Sequence, residues 1–188
     1  MPEGVEHGII KGMYKFSETK PKNPKGHVRL LGSGAILNEV LKAADILAAD
    51  YGIHGEVFSV TSYTELAREG SNLEHAALFS GKPMGQTHVQ ACLGTSDSPV
   101  ISASDYIRAH GEQIRRFVSA PYTTLGTDGF GRSDTRSALR RFFEVDSAHI
   151  AWCALATLVR EGTLSANVLD TARGKLGIDA NKPNPFTL

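Results

Sequence analysis

The densest concentration of residues able to do chemistry in this sequence is the run Gly126-Thr127-Asp128-Gly129-Phe130-Gly131-Arg132-Ser133-Asp134. Its three glycines suggest a defined backbone path, and Asp128, Arg132 and Asp134 place charge along it. A guanidinium such as that of Arg132 can grip a carboxylate at two points or span an interface. The run follows a predicted strand, Tyr122 to Leu125, and ligands approach open α/β sheets at the carboxyl ends of their strands. The other reading is a structured connection in which Ser133 or Asp134 caps the following helix. Asp128, Arg132, Ser133 and Asp134 are therefore the candidate residues for an interface or substrate-access loop, and no catalytic, cofactor-binding or metal-binding residue is assigned.

A second candidate is Gly32-Ser33-Gly34, lying between a predicted strand and a predicted helix. Backbone N–H groups at such a junction can hold an anion. The dinucleotide fingerprint, however, needs a third glycine where Leu37 and Asn38 stand, and the next strand ends in Thr61-Ser62 where a ribose-binding carboxylate is required. A tight turn that lets helix and strand pack is the alternative. The histidines (His7, His27, His54, His75, His88, His110 and His149) are dispersed, with no His pair at i,i+3 or i,i+4, which argues against a helical metal site. Cys92 and Cys153 form no CxxC pair and read as reduced thiols, one on a helical apolar face. Neither a Gly-x-Ser-x-Gly elbow nor a phosphate loop is present, which disfavours serine and nucleotide hydrolases.

A chain of 188 residues, 41% of them hydrophobic, can bury one substantial core and is expected to be one domain over 1–188. Twenty basic and twenty acidic residues leave no net charge, so there is no long-range field toward nucleic acid or an anionic membrane. No run approaches the roughly 20 apolar residues of a bilayer span, and the N-terminus lacks a basic segment followed by an apolar one. These features predict a cytoplasmic protein, or a matrix-like one after processing.

The elements that must position the two glycine-rich runs alternate in type. Ile9 to Phe16 reads as an edge strand and Pro21 to Gly26 as a polar turn, so that 1–26 is an edge strand and turn. His27 to Leu31 is an apolar strand, Ala35 to Tyr51 has helical periodicity with Gly52 as its stop, and Glu56 to Val60 is a strand. Ser62 and Glu65 form a capping-box pattern for a short helix through Ala67, Gly70 to Pro83 is the least regular stretch, and Met84 to Leu93 suits a short helix. Val100 to Ala103 is a buried strand. A helix from Ser104 or Asp105 should turn Ile107, Ile114 and Phe117 inward. Helical patterns over Thr135–Phe143, Ser147–Arg160 and Ser165–Leu176 precede an extended tail, 177–188. The apolar part of the middle one, Ile150 to Val159, suits a helix buried in the domain or against another subunit. The fold class is α/β: three αβα layers around a five-stranded mixed sheet, with the first strand able to run antiparallel at an edge.

His7-Gly8-Ile9-Ile10-Lys11-Gly12-Met13-Tyr14-Lys15 and Leu30-Leu31-Gly32-Ser33-Gly34-Ala35-Ile36-Leu37 resemble the opening of the C-terminal domain of homodimeric pyruvate dehydrogenases. The resemblance continues through Val57 to Gly70, Ser104-Asp105-Tyr106, the specific run Leu125 to Asp134, Phe143-Glu144-Val145-Asp146 and the ending Ile178 to Pro185, and is weakest over Gly70 to Pro99. It implies the transketolase C-terminal fold. It also implies a parent homodimer that decarboxylates pyruvate with thiamine diphosphate and a divalent metal, usually magnesium, then reductively acetylates a lipoyl group on the dihydrolipoyl acetyltransferase component. The family's Gly-Asp-Gly and Asn-Asn cofactor motif belongs to an earlier domain; Thr127-Asp128-Gly129 is the nearest string here, and no Asn-Asn follows it. The resemblance thus implies no cofactor in this domain, and a structural and dimerising role beside the preceding domains, with Gly126 to Asp134 and Ile150 to Val159 in the contacts. The alternatives are a free-standing anion-binding or regulatory module using Gly32-Ser33-Gly34, and a small complete enzyme whose site is not recognisable.

Overall fold

Side chains alternate across the central strand, and that alternation builds two cores. In the computed structural model, which describes residues 2–188, β2 (Gly26–Gly32) sends Val28 and Leu30 to one face and Arg29 and Leu31 to the other, all of them buried. Beside it lie β1 (Met13–Thr19), β3 (Ile53–Val60), β4 (Val100–Ala103) and β5 (Tyr122–Leu125), in the order β1-β3-β2-β4-β5. β1 is antiparallel to β3 at one edge, and every other pairing is parallel. The first face is covered by α2 (Leu37–Tyr51), α7 (Ser147–Arg160) and α8 (Asn167–Leu176). Val40, Leu47, Ile150, Leu155 and Leu158 meet Val28, Leu30 and Ile101 there. Each such side chain contributes roughly 1.5–3 kcal/mol through its burial. The second face is covered by α3 (Tyr63–Ser80) and α4 (His88–Leu93), with Ile114 and Phe117 completing the packing on Leu31, Phe58, Val60 and Val100.

The mixed sheet with one antiparallel edge strand and helices on both faces agrees with the expected fold class. Several boundaries differ, each for a local reason. Ile9 to Lys11 are not strand residues: they close α1 (Glu6–Lys11), which stops where Gly12 turns left-handed at φ 100°, and β1 begins only at Met13. Residues 2–26 therefore hold a helix, an edge strand and a turn. Gly70 to Ser80 is regular, because α3 runs 18 residues through Gly70. A Cβ at Gly70 would lie 2.3 Å from the Phe117 ring, so the glycine is a packing notch in a continuous helix. Its cap is half a box, with the Ser62 hydroxyl accepting from the Glu65 N–H at 3.1 Å. Ile107 is 55% exposed where inward packing was expected, since the helical segment after β4 shrinks to α5 (Arg108–Glu112) and a 3-10 turn at Arg115–Phe117. The helix after the glycine-rich loop, α6 (Arg136–Phe142), is capped by Thr135, whose hydroxyl accepts from the Ala138 N–H; Ser133 and Asp134 do not take that position. Finally, 177–188 is not simply extended: Gly177 caps α8, and the tail ends in a 3-10 turn, Pro185–Thr187.

Residues Arg136–Arg160 are apolar enough over an 18-residue window, with mean hydropathy 1.3, to pass for a membrane span on composition. The backbone breaks at Glu144, φ 62°, giving two helices of 7 and 14 residues. The longer one packs its apolar face on α2, β4 and α8.

Candidate functional site

The loops that leave β2, β4 and β5 converge at the carboxyl end of the sheet. β2 connects to β3 on one side and β4 connects to β5 on the other, so the direction of winding reverses between β2 and β4. Such a reversal leaves a crevice, and it is where open α/β sheets bind ligands. Here the crevice is a cavity of about 490 Å³. Ala35 and Ile36 come from the first loop, Asp105 from the second, Thr127 and Gly129 to Arg132 from the third, and Arg136, Leu139, Arg140 and Phe143 from α6 and its end.

The four candidate residues divide between the inside and the outside of this structure. Asp128 is turned inward: one carboxylate oxygen accepts the Arg108 backbone N–H at 2.9 Å, and the other meets the Arg108 guanidinium. It anchors the base of the loop against the start of α5. Gly126 makes that approach possible, since a Cβ there would lie 2.6 Å from the Tyr106 carbonyl oxygen. Arg132 lines the cavity and rests over the Phe142 ring, 4.1 Å from its centre. Ser133 and Asp134 stand exposed beyond it, Asp134 accepting from the Thr135 N–H at 2.6 Å.

The cavity floor is held by a carboxylate the sequence did not single out. Glu39 on α2 is 5% exposed, yet it receives the Arg140 guanidinium at 2.9 Å, the Lys42 ammonium at 3.0 Å and the Ser147 N–H at 3.1 Å. It thereby ties the first turns of α2 and α7 to α6. Asp146 caps α7 next to Val145, which lines the cavity. Burial works to raise its pKa, but hydrogen bonds from the His149 ring and backbone N–H, with the Arg141 charge nearby, outweigh it and hold Asp146 below the usual carboxylate range. Helical spacing could have pointed to Asp146 as a cap three residues before His149; Glu39 carried no such signal.

Gly32-Ser33-Gly34 is a packing turn. A Cβ at Gly32 would lie 2.8 Å from the Leu37 Cα, Gly34 has φ 58°, and the Asp105 carboxylate sits 3.5 Å from the place a Gly34 Cβ would take. An acid therefore faces the N–H groups that an anion would seek. The apolar run of α7 is used by the domain's own core: Ile150, Ala151, Ala154, Leu155 and Leu158 are at most 1% exposed. Cys153 on that helix is pushed up to about 11 by burial, which keeps it a thiol.

Two groupings of histidine arise from tertiary structure. His27 and His54 are register partners on β2 and β3, and their rings stack at 4.5 Å. His88 lies 3.4 Å from Cys92 one turn later, and the same ring nitrogen is 2.8 Å from the Met13 carbonyl, a tie of α4 to β1. Among the described residues no three His, Cys, Asp or Glu side chains are grouped to hold a metal ion.

The reversal-point cavity, the single antiparallel edge and the two helical layers define a class. The chain belongs to the transketolase-like C-terminal domain family, whose description (Transketolase-like TK C-terminal domain) it matches over residues 12–146. Within that class its relatives are specific. It is 48% identical to the pyruvate dehydrogenase E1 component of Pseudomonas aeruginosa, covering 99% of this chain and 21% of that protein. Those of Cupriavidus necator and Escherichia coli K12 are each 45% identical, covering 100% and 98% of this chain and 21% of either relative. The chain thus spans about a fifth of the length of these relatives and corresponds to their C-terminal transketolase-like domain. A Pichia stipitis transketolase structure superposes with a TM-score of 0.55 at 17% identity, over 83% of this chain and 19% of that one, and shows the fold alone.

Proposed function

We propose that this chain is the C-terminal domain of a cytoplasmic pyruvate dehydrogenase whose complete polypeptide decarboxylates pyruvate with thiamine diphosphate and magnesium, then reductively acetylates the lipoyl group of a dihydrolipoyl acetyltransferase. The observation that carries this reading is identity of 45–48% along essentially the whole chain to proteins of that name. Within the complete enzyme this domain holds neither catalytic residues nor cofactor. Its role is structural: it supplies contact surface to the preceding domains and to a second copy.

That surface lies at the carboxyl end of the sheet. Tyr106, Ile107, Phe130 and Phe186 are large apolar side chains exposed by 55–86%, all on or beside the loops that leave β4 and β5 or on the tail packed against Gly129. An exposed apolar group of this kind, rimmed by Arg132, Ser133 and Asp134, marks a protein contact. Asp128 contributes by fixing the loop, and the solvent-facing residues make the contact.

The test has two arms. The 188-residue chain, supplied with pyruvate, thiamine diphosphate and magnesium, should release no carbon dioxide above background. In the full-length polypeptide, Phe130→Asp should raise the dimer dissociation constant by roughly tenfold or more, as expected for an apolar anchor at an interface, read by sedimentation. Turnover by the isolated chain, or an unchanged dimer, would overturn the corresponding half.

A further inference from the structure

The cavity at the reversal point carries more positive charge than the fold uses. Arg132, Arg136 and Arg140 line it, with Asp105 as the one acid in the lining. Arg140 is occupied by Glu39. Arg132 and Arg136 form no salt bridge among the described residues, although the chain as a whole has equal numbers of basic and acidic side chains. With the Arg140 charge answered by Glu39, the lining keeps two unpaired arginines against one acid.

We propose that this cavity is a binding site for a small organic phosphate: a dianionic head on the arginines and an apolar body against Phe130, Leu139 and Phe143. Three observations converge on that class. A phosphate monoester carries about −1.5 to −2 charge at neutral pH, which the unpaired Arg132 and Arg136 can face, and guanidinium groups offer it paired N–H donors. The volume of about 490 Å³ exceeds what a bare ion needs and falls within the roughly 300–1,000 Å³ of small-molecule sites. Two of the arginines are placed in advance, Arg132 by its stack on Phe142 and Arg140 by Glu39, which lowers the ordering cost of binding. Asp105, on the loop after β4, repels a second anionic group and accepts from a hydroxyl or amine on the body. The proposal shares Phe130 and Arg132 with the contact surface proposed above, and comparison of this chain with the full-length polypeptide separates the two uses.

Phenyl phosphate, inorganic phosphate and phenol, each titrated at constant ionic strength into the 188-residue chain and followed by amide NMR shifts, test it. Phenyl phosphate should give saturable shifts at Ala35, Asp105 and Gly129 to Arg132, inorganic phosphate weaker ones at the same amides, and phenol none. Arg132→Gln and Arg136→Gln should each weaken phenyl phosphate binding roughly tenfold. Both side chains are exposed, so folding is checked by thermal melting, and either single variant suffices if the other fails to fold. Linear shifts, saturable shifts at other amides, or affinity unchanged in both variants would overturn the proposal. So would binding by this chain that vanishes in the full-length polypeptide, which would identify the cavity as a seat for an acidic side chain of the neighbouring domains.

Discussion

Arg29 and Arg132 are the same residue type at two places in one sheet, and they are used in opposite ways. Arg29 points from β2 beneath the loop that leads into β4, is 1% exposed, and donates to the carbonyls of Leu93 (2.5 Å), Ser96 (2.7 Å) and Ser98. Burial draws its pKa below the ordinary arginine value, and the carbonyls compensate the lost hydration without a counter-charge in contact. It acts as a pin that shapes a loop whose own ties include the Ser96 and Ser98 hydroxyls. Arg132 leaves a loop at the carboxyl end of the sheet, is exposed, and rests over the Phe142 ring with no salt bridge among the described residues. Charge enclosed by backbone carbonyls serves the fold; charge left at the mouth of a cavity is available to something outside it.

That contrast can be broken by measuring stability at each end. The largest effect should come from Arg29→Met, which leaves the buried Leu93 carbonyl and the part-buried Ser96 and Ser98 carbonyls without their donor: a loss of about 3 kcal/mol, from roughly 1–3 kcal/mol per orphaned group, read by urea denaturation. A loss under about 1 kcal/mol would show that water reaches the loop and that Arg29 is no pin. Glu39→Gln comes next. Taking the charge from a nearly buried carboxylate that three donors share should cost about 2 kcal/mol and free Arg140, visible as a loss of order in its guanidinium resonances.

Asp146 sharpens the comparison through pH, because it belongs to the rigid floor of the open end. Its pKa is depressed in the folded protein, so its contribution is present above the ordinary carboxylate value of about 4 and is lost as pH falls through the lower, folded value. Asp146→Ala should remove about 1–2 kcal/mol at neutral pH and flatten the acid limb of the stability profile. An unchanged limb would place the acid sensitivity elsewhere. The smallest effect is expected for Arg136→Ala: within about 0.5 kcal/mol of the parent, even though the same position should lower phosphate binding. A large destabilisation there would mean that the open end is part of the fold after all.

How much of this was legible beforehand depended on range. α7 was readable to the residue, because its periodicity is continuous and Asp146 stands directly before it. α3 was cut short at Gly70, since glycine in a helix interior is locally unfavourable and only the Phe117 ring explains why it is there. β3 was found from Glu56 onward, but its first half, with His54 and Gly55, has no local β signal and is held by pairing to β2. The loop Gly126 to Asp134 stood out by composition. That Asp128 faces inward to Arg108 while Arg132 lines a cavity could not be read, because both contacts join segments far apart in the chain.

Sequence alone determined the five strands with an edge first, most of the helices though not α1, and a family resemblance running nearly end to end, all of which rest on spacing within a few turns or on the strings of residues themselves. Only the tertiary structure decided which charges are used up by the fold and which are left over. A side chain's partners are set by register and by loop convergence at the sheet's carboxyl end, and no short-range pattern encodes either.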